Sequence, residues 1–453
     1  MHLNRLGPPR PGPVPGTASA PRGAFFLGEP CVPRIQAYRH ENIIPTMTEA
    51  ATPSPLQCDV AIIGAGPAGS AAARVLSQAG LEVLLIDQQP PGRDKICGDG
   101  LIPDAHAALT RLGLLDAVMA KAQRASHVGC IGPRGGRIDV PGHLAVLPRR
   151  ELDLILLQAA QAAGARFLQA RFEKPLEDGA GRVVGALLKQ GEAQVEVRAP
   201  WLVLATGAVP KALIAAGMCE RHTPSGVALR GYVRAPAMVG RIKALEVVWN
   251  KAVRPGYGWI FPAPDDCFNI GVGVTDSHRA VAGKGEKKDL NLRAIFDAFC
   301  AHYAPAAELM RAGELVGELK GAPLRCTLAG ARWTRPGLLV AGEAAGSTYS
   351  FTGEGIGKAM ETGMLAADAL LAQRADDAAA RALYEQGLRA LKPKYDLYER
   401  ANRVNAMPWL ADLLIWRAQK SERLVRRMSG VLNETSNPGN LVSLKGISRL
   451  FLE

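Results

Sequence analysis

The chain has few aromatic residues and no pattern of paired cysteines. Aromatic residues make up 5% of its 453 residues, whereas 49 residues are glycine. The eight cysteines are scattered, without a Cys-x-x-Cys pair or the histidine spacing of a zinc site. We therefore expect reduced thiols in a cytoplasmic protein and no bound metal.

Long apolar runs and nucleic-acid-binding patterns are also missing. No segment is apolar over the length that a signal peptide or a membrane span needs. The formal net charge is +12, yet no basic stripe interleaved with aromatic residues accompanies it. We expect no nucleic-acid partner, and the charge favours an anionic membrane surface or a phosphorylated substrate. The sequence favours no oligomeric state.

A dinucleotide-binding pattern runs from Cys58 to Asp87. An apolar run, Val60 to Ile63, is typical of a strand buried on both faces, and a glycine-rich turn and a helix follow it. Such a turn lets backbone amides approach a pyrophosphate, while Asp87 can accept a hydrogen bond from an adenosine ribose. The pattern therefore predicts FAD or NAD rather than NADP. The candidate cofactor residues are Gly64, Gly66, Pro67, Ala68, Gly69 and Asp87.

A basic, glycine-rich loop, Arg93-Asp94-Lys95-Ile96-Cys97-Gly98, follows this unit. It resembles the corresponding segment of geranylgeranyl reductase-like flavoproteins, which belong to the para-hydroxybenzoate hydroxylase-like superfamily. The resemblance implies that Arg93, Lys95, Cys97 and Gly98 lie beside a flavin and its phosphates. From the residues alone, the two cations are equally consistent with a solvated loop, and Cys97 with a small buried apolar side chain.

Two further segments resemble cofactor-binding elements of this superfamily. Arg149 begins an Arg-x-x-Leu-Asp element, so the resemblance implies a cofactor contact, and a surface cation is the alternative. An apolar run from Trp201 ends in Ala205-Thr206-Gly207, which makes Ala205 and Gly207 cofactor candidates. Many relatives continue with Asp-Gly, which this chain lacks. That difference weakens the case for a hydroxylase of the para-hydroxybenzoate type.

A distal segment selects between the two cofactors. Pro336 to Gly346 predicts a buried strand that runs into an acidic turn, and Phe351 to Gly357 leads into a helix of small residues. Relatives carry Gly-Asp at the turn, so the resemblance assigns the flavin ribityl contact to Glu343. Two matched segments far apart in the chain favour FAD over NAD. The distal candidates are Gly342, Glu343, Gly353, Gly355 and Ile356, with Gly357 also expected to present its amide to the flavin.

An aromatic pattern follows the first proline of Pro255-Gly256-Tyr257-Gly258-Trp259-Ile260-Phe261-Pro262. Alternation places Tyr257, Trp259 and Phe261 on one face of a strand. The run resembles the Pro-x-x-Tyr-x-Trp-x-Phe-Pro motif of geranylgeranyl reductases, with one residue fewer between the first proline and the tyrosine. Without context such a face is more often core. Beside a flavin domain it is expected to form the wall of a substrate cavity.

The predicted fold is α/β: a Rossmann-like FAD-binding domain, an inserted mixed β-sheet substrate domain and a helical C-terminal tail. Asp104 to Val118 predicts one helix. The tail is expected to cover the middle domain or to lie on an anionic membrane. The expected boundaries are 1–55 for a disordered extension with Met47 as an alternative start, 56–220 with 326–372 for the FAD-binding domain, 221–325 for the substrate domain and 373–453 for the helical region.

The resemblance implies an FAD-dependent reductase that saturates C=C bonds of a geranylgeranyl-type prenyl chain in an isoprenoid or lipid. An isolated prenyl double bond cannot stabilise a carbanion, so proton delivery must lead or accompany hydride transfer from the reduced flavin. Cys97 is the candidate acid or gate, while the faces of Tyr257 and Trp259 are candidates to hold developing positive charge.

Other readings remain open from the sequence. The electron donor is NAD(P)H or a ferredoxin, because no second free-standing GxGxxG marks a nicotinamide domain. Rival functions are a flavin monooxygenase or halogenase, and a non-catalytic flavin electron carrier or lipid-binding protein. The expected location is the cytoplasm, with peripheral attachment to the inner membrane face as an alternative.

Overall fold

The computed structural model describes residues 54–275 and 290–436. The predicted disordered extension up to residue 53, the alternative start at Met47 and the last residues of the predicted helical region, 437–453, lie outside the described residues.

Within these ranges the strands form three sheets. The strands are β1 Leu56–Gln57, β2 Val60–Ile63, β3 Val83–Asp87, β4 Gly100–Leu101, β5 Gln123–Ile131, β6 Arg137–Val146, β7 Arg166–Gln169, β8 Arg171–Glu177, β9 Val183–Gln190, β10 Ala193–Arg198, β11 Trp201–Leu204, β12 Gly226–Arg234, β13 Leu245–Val248, β14 Gly256–Pro262, β15 Cys267–Thr275, β16 Glu314–Leu324, β17 Thr334–Arg335 and β18 Leu338–Val340. The helices are α1 Pro67–Gln78, α2 Pro103–Arg111, α3 Leu115–Met119, α4 Arg149–Ala162, α5 Lys211–Ala215, α6 Leu292–His302, α7 Ala304–Ala312, α8 Ile356–Gln373, α9 Asp377–Ala401, α10 Arg403–Ala406, α11 Trp409–Ala418 and α12 Glu422–Leu432.

The six-stranded sheet has the order β17-β18-β11-β2-β3-β7 and is parallel except for β17. Helices α1, α4, α8 and α9 cover one face. The four-stranded sheet β1-β10-β9-β8 and α5 cover the other. Burial on both faces explains why β2 and β11 are uninterrupted apolar runs. The predicted Rossmann-like layer is confirmed.

The eight-stranded sheet has the order β16-β12-β15-β14-β13-β5-β6-β4. Its pairs are antiparallel except for β13 and β5, which run parallel. This is the predicted mixed sheet. Strands β4, β5 and β6 come from the segment before residue 220, and β12 to β16 come from the segment after it. The domain boundaries at residues 220 and 326 stay predictions.

The predicted single helix from Asp104 to Val118 is wrong, because the chain forms α2 and α3 with a break between them. Gly113 lies in the break and adopts a φ of +69°. Glycine enters this left-handed region without the steric cost that a Cβ brings, so the helix ends there.

The helical C-terminal region is confirmed through α12. Helix α11 lies against the turn between β5 and β6, where Asp412 accepts a hydrogen bond from the Arg134 amide at 3.0 Å. Helix α12 follows on the same hairpin, where Ser429 Oγ donates to the Pro141 carbonyl at 2.7 Å. Among the residues that the structure describes, no helix combines the length and apolar character that crossing a bilayer requires.

Close contact between α1 and α8 depends on Gly363. A Cβ at this position would lie 2.2 Å from the Ala68 carbonyl oxygen. We expect Gly363→Ala to lower the free energy of unfolding of the FAD-free protein by about 1–3 kcal/mol. Gly179→Ala is the control, because a Cβ at Gly179 meets no atom within 4 Å and Gly179 lies in a surface turn. Urea unfolding of both variants measures the difference, and equal stabilities would contradict the close packing.

Candidate functional site

A cavity of about 800 Å³ lies where the carboxyl ends of β2, β3 and β11 meet the eight-stranded sheet. Most of the predicted site residues line it. They are Gly64, Gly66, Pro67, Ala68, Asp87, Arg93, Lys95, Cys97, Gly98, Arg149, Ala205, Gly207, Tyr257, Trp259, Phe261, Glu343, Gly353, Gly355 and Ile356. Gly69 and Gly342 lie behind the lining and set the approach of the backbone.

The turn between β2 and α1 is too tight for side chains. A Cβ at Gly69 would lie 1.8 Å from the Gly64 carbonyl oxygen, and one at Gly64 would lie 2.3 Å from that of Ala205. Helix α1 begins after Gly66 with no side-chain cap, so its first amides are left for a ligand. Asp87 Oδ2 holds the turn by accepting a hydrogen bond from the Ala65 amide at 2.9 Å.

Arg149 is buried at the start of α4, so the surface-cation alternative is wrong. Its guanidinium donates two hydrogen bonds to Asp153, at 2.7 and 2.8 Å. Asp153 also lies 4.0 Å from the Arg93 guanidinium. The ion pair holds the Arg149 side chain in one orientation at the cavity wall, beside the Cys97 thiol.

The Cys97 loop, residues 93–98, is tied to the eight-stranded sheet by Arg230. This arginine is 1% exposed and donates to Asp94 at 2.7 Å and to the Lys95 carbonyl at 3.0 Å. Its Nε donates to the Cys97 carbonyl at 3.3 Å. The loop therefore has a defined position rather than that of a freely solvated segment.

Asn269, in the middle of β15, joins the loop to the aromatic strand. Its amide nitrogen donates to the Cys97 carbonyl and to Asp99 Oδ2, both at 2.8 Å, and its oxygen accepts from Trp259 Nε1 at 2.9 Å. Tyr232 also donates to Asp99. Burial raises the pKa of Asp99 to about 6, and burial likewise raises the pKa of the Cys97 thiol.

Sequence reasoning missed this network, although a sign of it was present. Arg230 and Asn269 each interrupt a strand that is otherwise apolar, β12 and β15 respectively. A buried polar side chain in such a position needs partners, which here are the loop carbonyls and Asp99.

The three aromatic residues of β14 share one face, here called the aromatic face: Tyr257, Trp259 and Phe261. Their ring centroids follow each other at 6.2 and 6.4 Å. A Cβ at Gly98 would lie 3.3 Å from the Phe261 ring, so the Cys97 loop rests directly on this face. Tyr257 donates a hydrogen bond to the Thr352 carbonyl, which links the face to the distal segment.

The distal glycines serve different purposes. A Cβ at Gly353 would lie 2.7 Å from the Tyr257 hydroxyl, and one at Gly355 would lie 2.6 Å from Thr348 Oγ1. Glu343 lines the cavity and accepts from Thr348 at 3.3 Å. Gly357, expected to face the flavin, instead leaves room for a carboxylate, because its Cβ would lie 2.5 Å from Asp104.

The cofactor end of the cavity fits FAD. Thr206 Oγ1 is buried there without a hydrogen-bond partner among the described residues, and Gly207 has open space where a Cβ would project. Helix α8, like α1, begins with no side-chain cap. Two uncapped helix starts, at Pro67 and Ile356, together with free polar atoms suit a ligand that carries phosphates and hydroxyl groups.

The far end of the cavity is apolar. Beyond the aromatic face its walls include Val128 and Val140 from the β5–β6 hairpin. Met428, Val431 and Leu432 of α12 also line it. The C-terminal helix therefore forms part of the cavity itself.

Comparisons with known proteins also indicate an FAD-binding protein. A family profile described as an FAD binding domain matches residues 57–237. A menaquinone reductase of Mycobacterium tuberculosis is 34% identical over 338 residues, which cover 69% of this chain and 76% of that protein. Digeranylgeranylglycerophospholipid reductase 1 of Methanopyrus kandleri is 28% identical over 360 residues, which cover 78% and 91%.

A solved structure shares the fold. The geranylgeranyl bacteriochlorophyll reductase-like protein of Thermoplasma acidophilum superposes with a TM-score of 0.68 at 20% identity. The match covers 88% of this chain and 97% of that one.

The Asn269 network yields a stability prediction. Asn269→Leu leaves the Cys97 carbonyl, Asp99 and the Trp259 indole each without one partner, so we expect the free energy of unfolding to fall by about 1–3 kcal/mol. Tyr232→Phe removes a single donor to Asp99 and should cost less. Chemical unfolding and FAD titration measure both variants. A smaller loss for Asn269→Leu than for Tyr232→Phe would contradict the central position of Asn269.

Proposed function

Because this chain belongs to the geranylgeranyl reductase-like family of FAD-dependent oxidoreductases, we propose that it saturates C=C bonds in the prenyl chain of a membrane lipid or isoprenoid. The lining of the cavity carries this proposal. One part of its lining is the polar turn of a dinucleotide site, and another part consists of aromatic and aliphatic side chains. A prenyl chain is apolar along its whole length and matches the second part.

The residues between the two ends suit reduction of an isolated alkene. Bound FAD, once reduced, supplies the hydride. Tyr257 and Trp259 present ring faces that can hold positive charge as it develops at a tertiary carbon. The Cys97 thiol, whose pKa is raised by burial, stays protonated at neutral pH and serves as acid or gate between the loop and the aromatic face. Arg93 and Lys95 line the cavity, and a phosphate on the substrate, if present, could meet either of them.

A second candidate comes from the menaquinone reductase relatives. Menaquinone offers two reducible parts, a quinone ring and a prenyl tail. The aromatic and aliphatic part of the cavity lining favours the tail. Reduction of the quinone ring is the alternative, and an experiment must distinguish it from saturation of the tail.

We expect saturation to survive exposure to air. Enzyme reduced with dithionite, which replaces the unidentified electron donor, is incubated without oxygen with menaquinone or with digeranylgeranylglycerophospholipid. The products are exposed to air, and their masses are then measured by mass spectrometry. A saturated tail keeps its added pair of hydrogens, whereas a quinol returns to the quinone.

Other outcomes would overturn the proposal. Substrate-dependent oxygen consumption would indicate a monooxygenase or halogenase. Reduced FAD that no prenyl substrate reoxidises would indicate an electron carrier or a lipid-binding protein.

We also propose that α11 and α12 contact the anionic inner face of a membrane. Trp409 and Trp416 are 59% and 49% exposed, and the Lys420 ammonium lies 4.4 Å from the Trp416 ring centre. Basic residues continue through Arg423, Arg426 and Arg427. Exposed tryptophans beside cations suit the interface of an anionic bilayer. Met428, Val431 and Leu432 of α12 also line the cavity, so a membrane surface here would lie near the proposed lipid site.

Vesicle sedimentation tests this surface. We expect the protein to sediment with phosphatidylglycerol vesicles and much less with phosphatidylcholine vesicles. Replacing Trp409 and Trp416 by alanine should lower binding several-fold, because interfacial tryptophans anchor a protein at the headgroups. Ile214→Ala with Val239→Ala removes exposed apolar side chains elsewhere and serves as the control. Equal binding by both double variants would exclude this surface.

A further inference from the structure

A buried group of charges lies behind the cavity and has no part in the chemistry described so far. The Lys358 cluster consists of Lys358 with three carboxylates at 3.1 to 3.6 Å: Glu361, Glu434 and Asp104. Lys358 and Asp104 are 4% and 7% exposed. Asp104 Oδ2 accepts no hydrogen bond among the described residues, and its carboxylate fits there because residue 357 is glycine.

Glu354 connects this cluster with the cavity. It lies between Gly353 and Gly355, just before α8, and lines the cavity wall. Tyr257 and Tyr398 line the same cavity. The residues just before Glu354 contact Tyr257 directly, because the Tyr257 hydroxyl donates to the Thr352 carbonyl and a Cβ at Gly353 would lie 2.7 Å from that hydroxyl. Glu354 therefore belongs to the segment that contacts the first ring of the aromatic face.

The other cavity carboxylates are occupied by structural partners. Asp87 accepts from a backbone amide of the turn, Asp94 from Arg230, and Asp99 from Tyr232 and Asn269. Glu343 accepts from Thr348. Glu354 differs because the carboxylates of Asp104, which is buried, and of Glu434 act on it, and like charges favour the protonated form.

The charges around Glu354 act from every side. Asp104 from α2 and Glu434 from beyond α12 favour the protonated form of Glu354, whereas Lys358 from α8 and the Thr352 side chain favour its charged form. Burial first, and then Asp104, raises the pKa of Glu354 from 4.5 to about 8. Glu354 thus carries a proton at neutral pH. Although burial acts against it, Lys358 holds the pKa of Glu434 below its ordinary value, so Glu434 stays charged.

We propose that Glu354 delivers to the cavity the proton that alkene reduction consumes, and that the Lys358 cluster restores its protonated state between turnovers. This inference rests on the proposed reductase function. One alkene carbon gains the hydride and the other gains the Glu354 proton, as the π bond is lost. The carboxylate left at Glu354 then takes a proton from water. The sequence offered two roles for Cys97, acid or gate. With Glu354 as the acid, Cys97 keeps only the role of gate.

Substitutions at Glu354 test the assignment. Glu354→Gln keeps the shape of the side chain but cannot release a proton, so we expect FAD binding and reduction by dithionite to persist. Anaerobic reoxidation of the reduced enzyme by a prenyl substrate should slow by about 100-fold or more. Glu354→Asp should restore part of the rate, because it restores the carboxyl group. A Glu354→Gln enzyme with the wild-type reoxidation rate would overturn the proposal.

The pH profile separates Glu354 from Cys97. The wild-type reoxidation rate should fall as pH rises through about 8, where Glu354 loses its proton. Glu434→Gln removes a neighbouring negative charge and should move this fall to lower pH. The exposed Glu422→Gln is the charge-matched control and should leave it in place. If Cys97→Ala, rather than Glu354→Gln, abolished the fall, Cys97 would be the proton donor and the proposal would be wrong.

A readout without turnover separates this proposal from the function on which it rests. Infrared difference titration of the FAD-loaded enzyme without substrate should show one carboxyl group that loses its proton near pH 8 and that is missing in Glu354→Gln. If wild-type enzyme reduces no prenyl substrate, the reductase function fails, even where this titration is observed. If reduction proceeds and the titrating carboxyl is absent, the assignment of Glu354 fails alone.

Discussion

Backbone segments approach each other around the start of α1 more closely than side chains allow, and the cofactor end of the cavity depends on this approach. The Gly64 turn lies against Ala205, Gly69 lies over the Gly64 carbonyl, and Gly363 brings α8 against Ala68. The first and the third of these contacts bring segments that are distant in sequence against this turn and the start of α1. The two uncapped helix starts consequently lie on one cavity, although almost three hundred residues separate Pro67 from Ile356.

Hydrogen bonds fix the part of the cavity formed by the Cys97 loop and the aromatic face, whereas close packing at glycines fixes the cofactor end. Arg230 and Asn269 lie in the largely apolar strands β12 and β15 and donate to the carbonyls of the Cys97 loop. Because Asn269 also accepts from Trp259, it joins the loop to the aromatic face. Their mutual position is set by hydrogen bonds that water cannot readily replace in a buried site.

The sequence predicted those features whose causes are local. Apolar runs that end in glycine indicated β2 and β11, and strict alternation placed Tyr257, Trp259 and Phe261 on one face. Features that depend on contacts between distant residues were missed. Nothing near Gly113 in the periodic pattern separated α2 from α3, and the reason for glycine at 357 is a carboxylate some 250 residues earlier in the chain, Asp104. The membership of β4 to β6 in the eight-stranded sheet likewise follows from pairing with β13, which no local pattern reveals.

Helix α12 belongs to the cavity and to the hairpin at the same time. Met428 and Leu432 line the cavity, while Leu424 is buried with Ile138 of β6 and a Cβ at Gly142 would lie 2.7 Å from Leu432. Under the proposed function, a change in these side chains would alter the room for a lipid chain and the packing of the hairpin together, and it would leave the residues of the Gly64 turn unchanged.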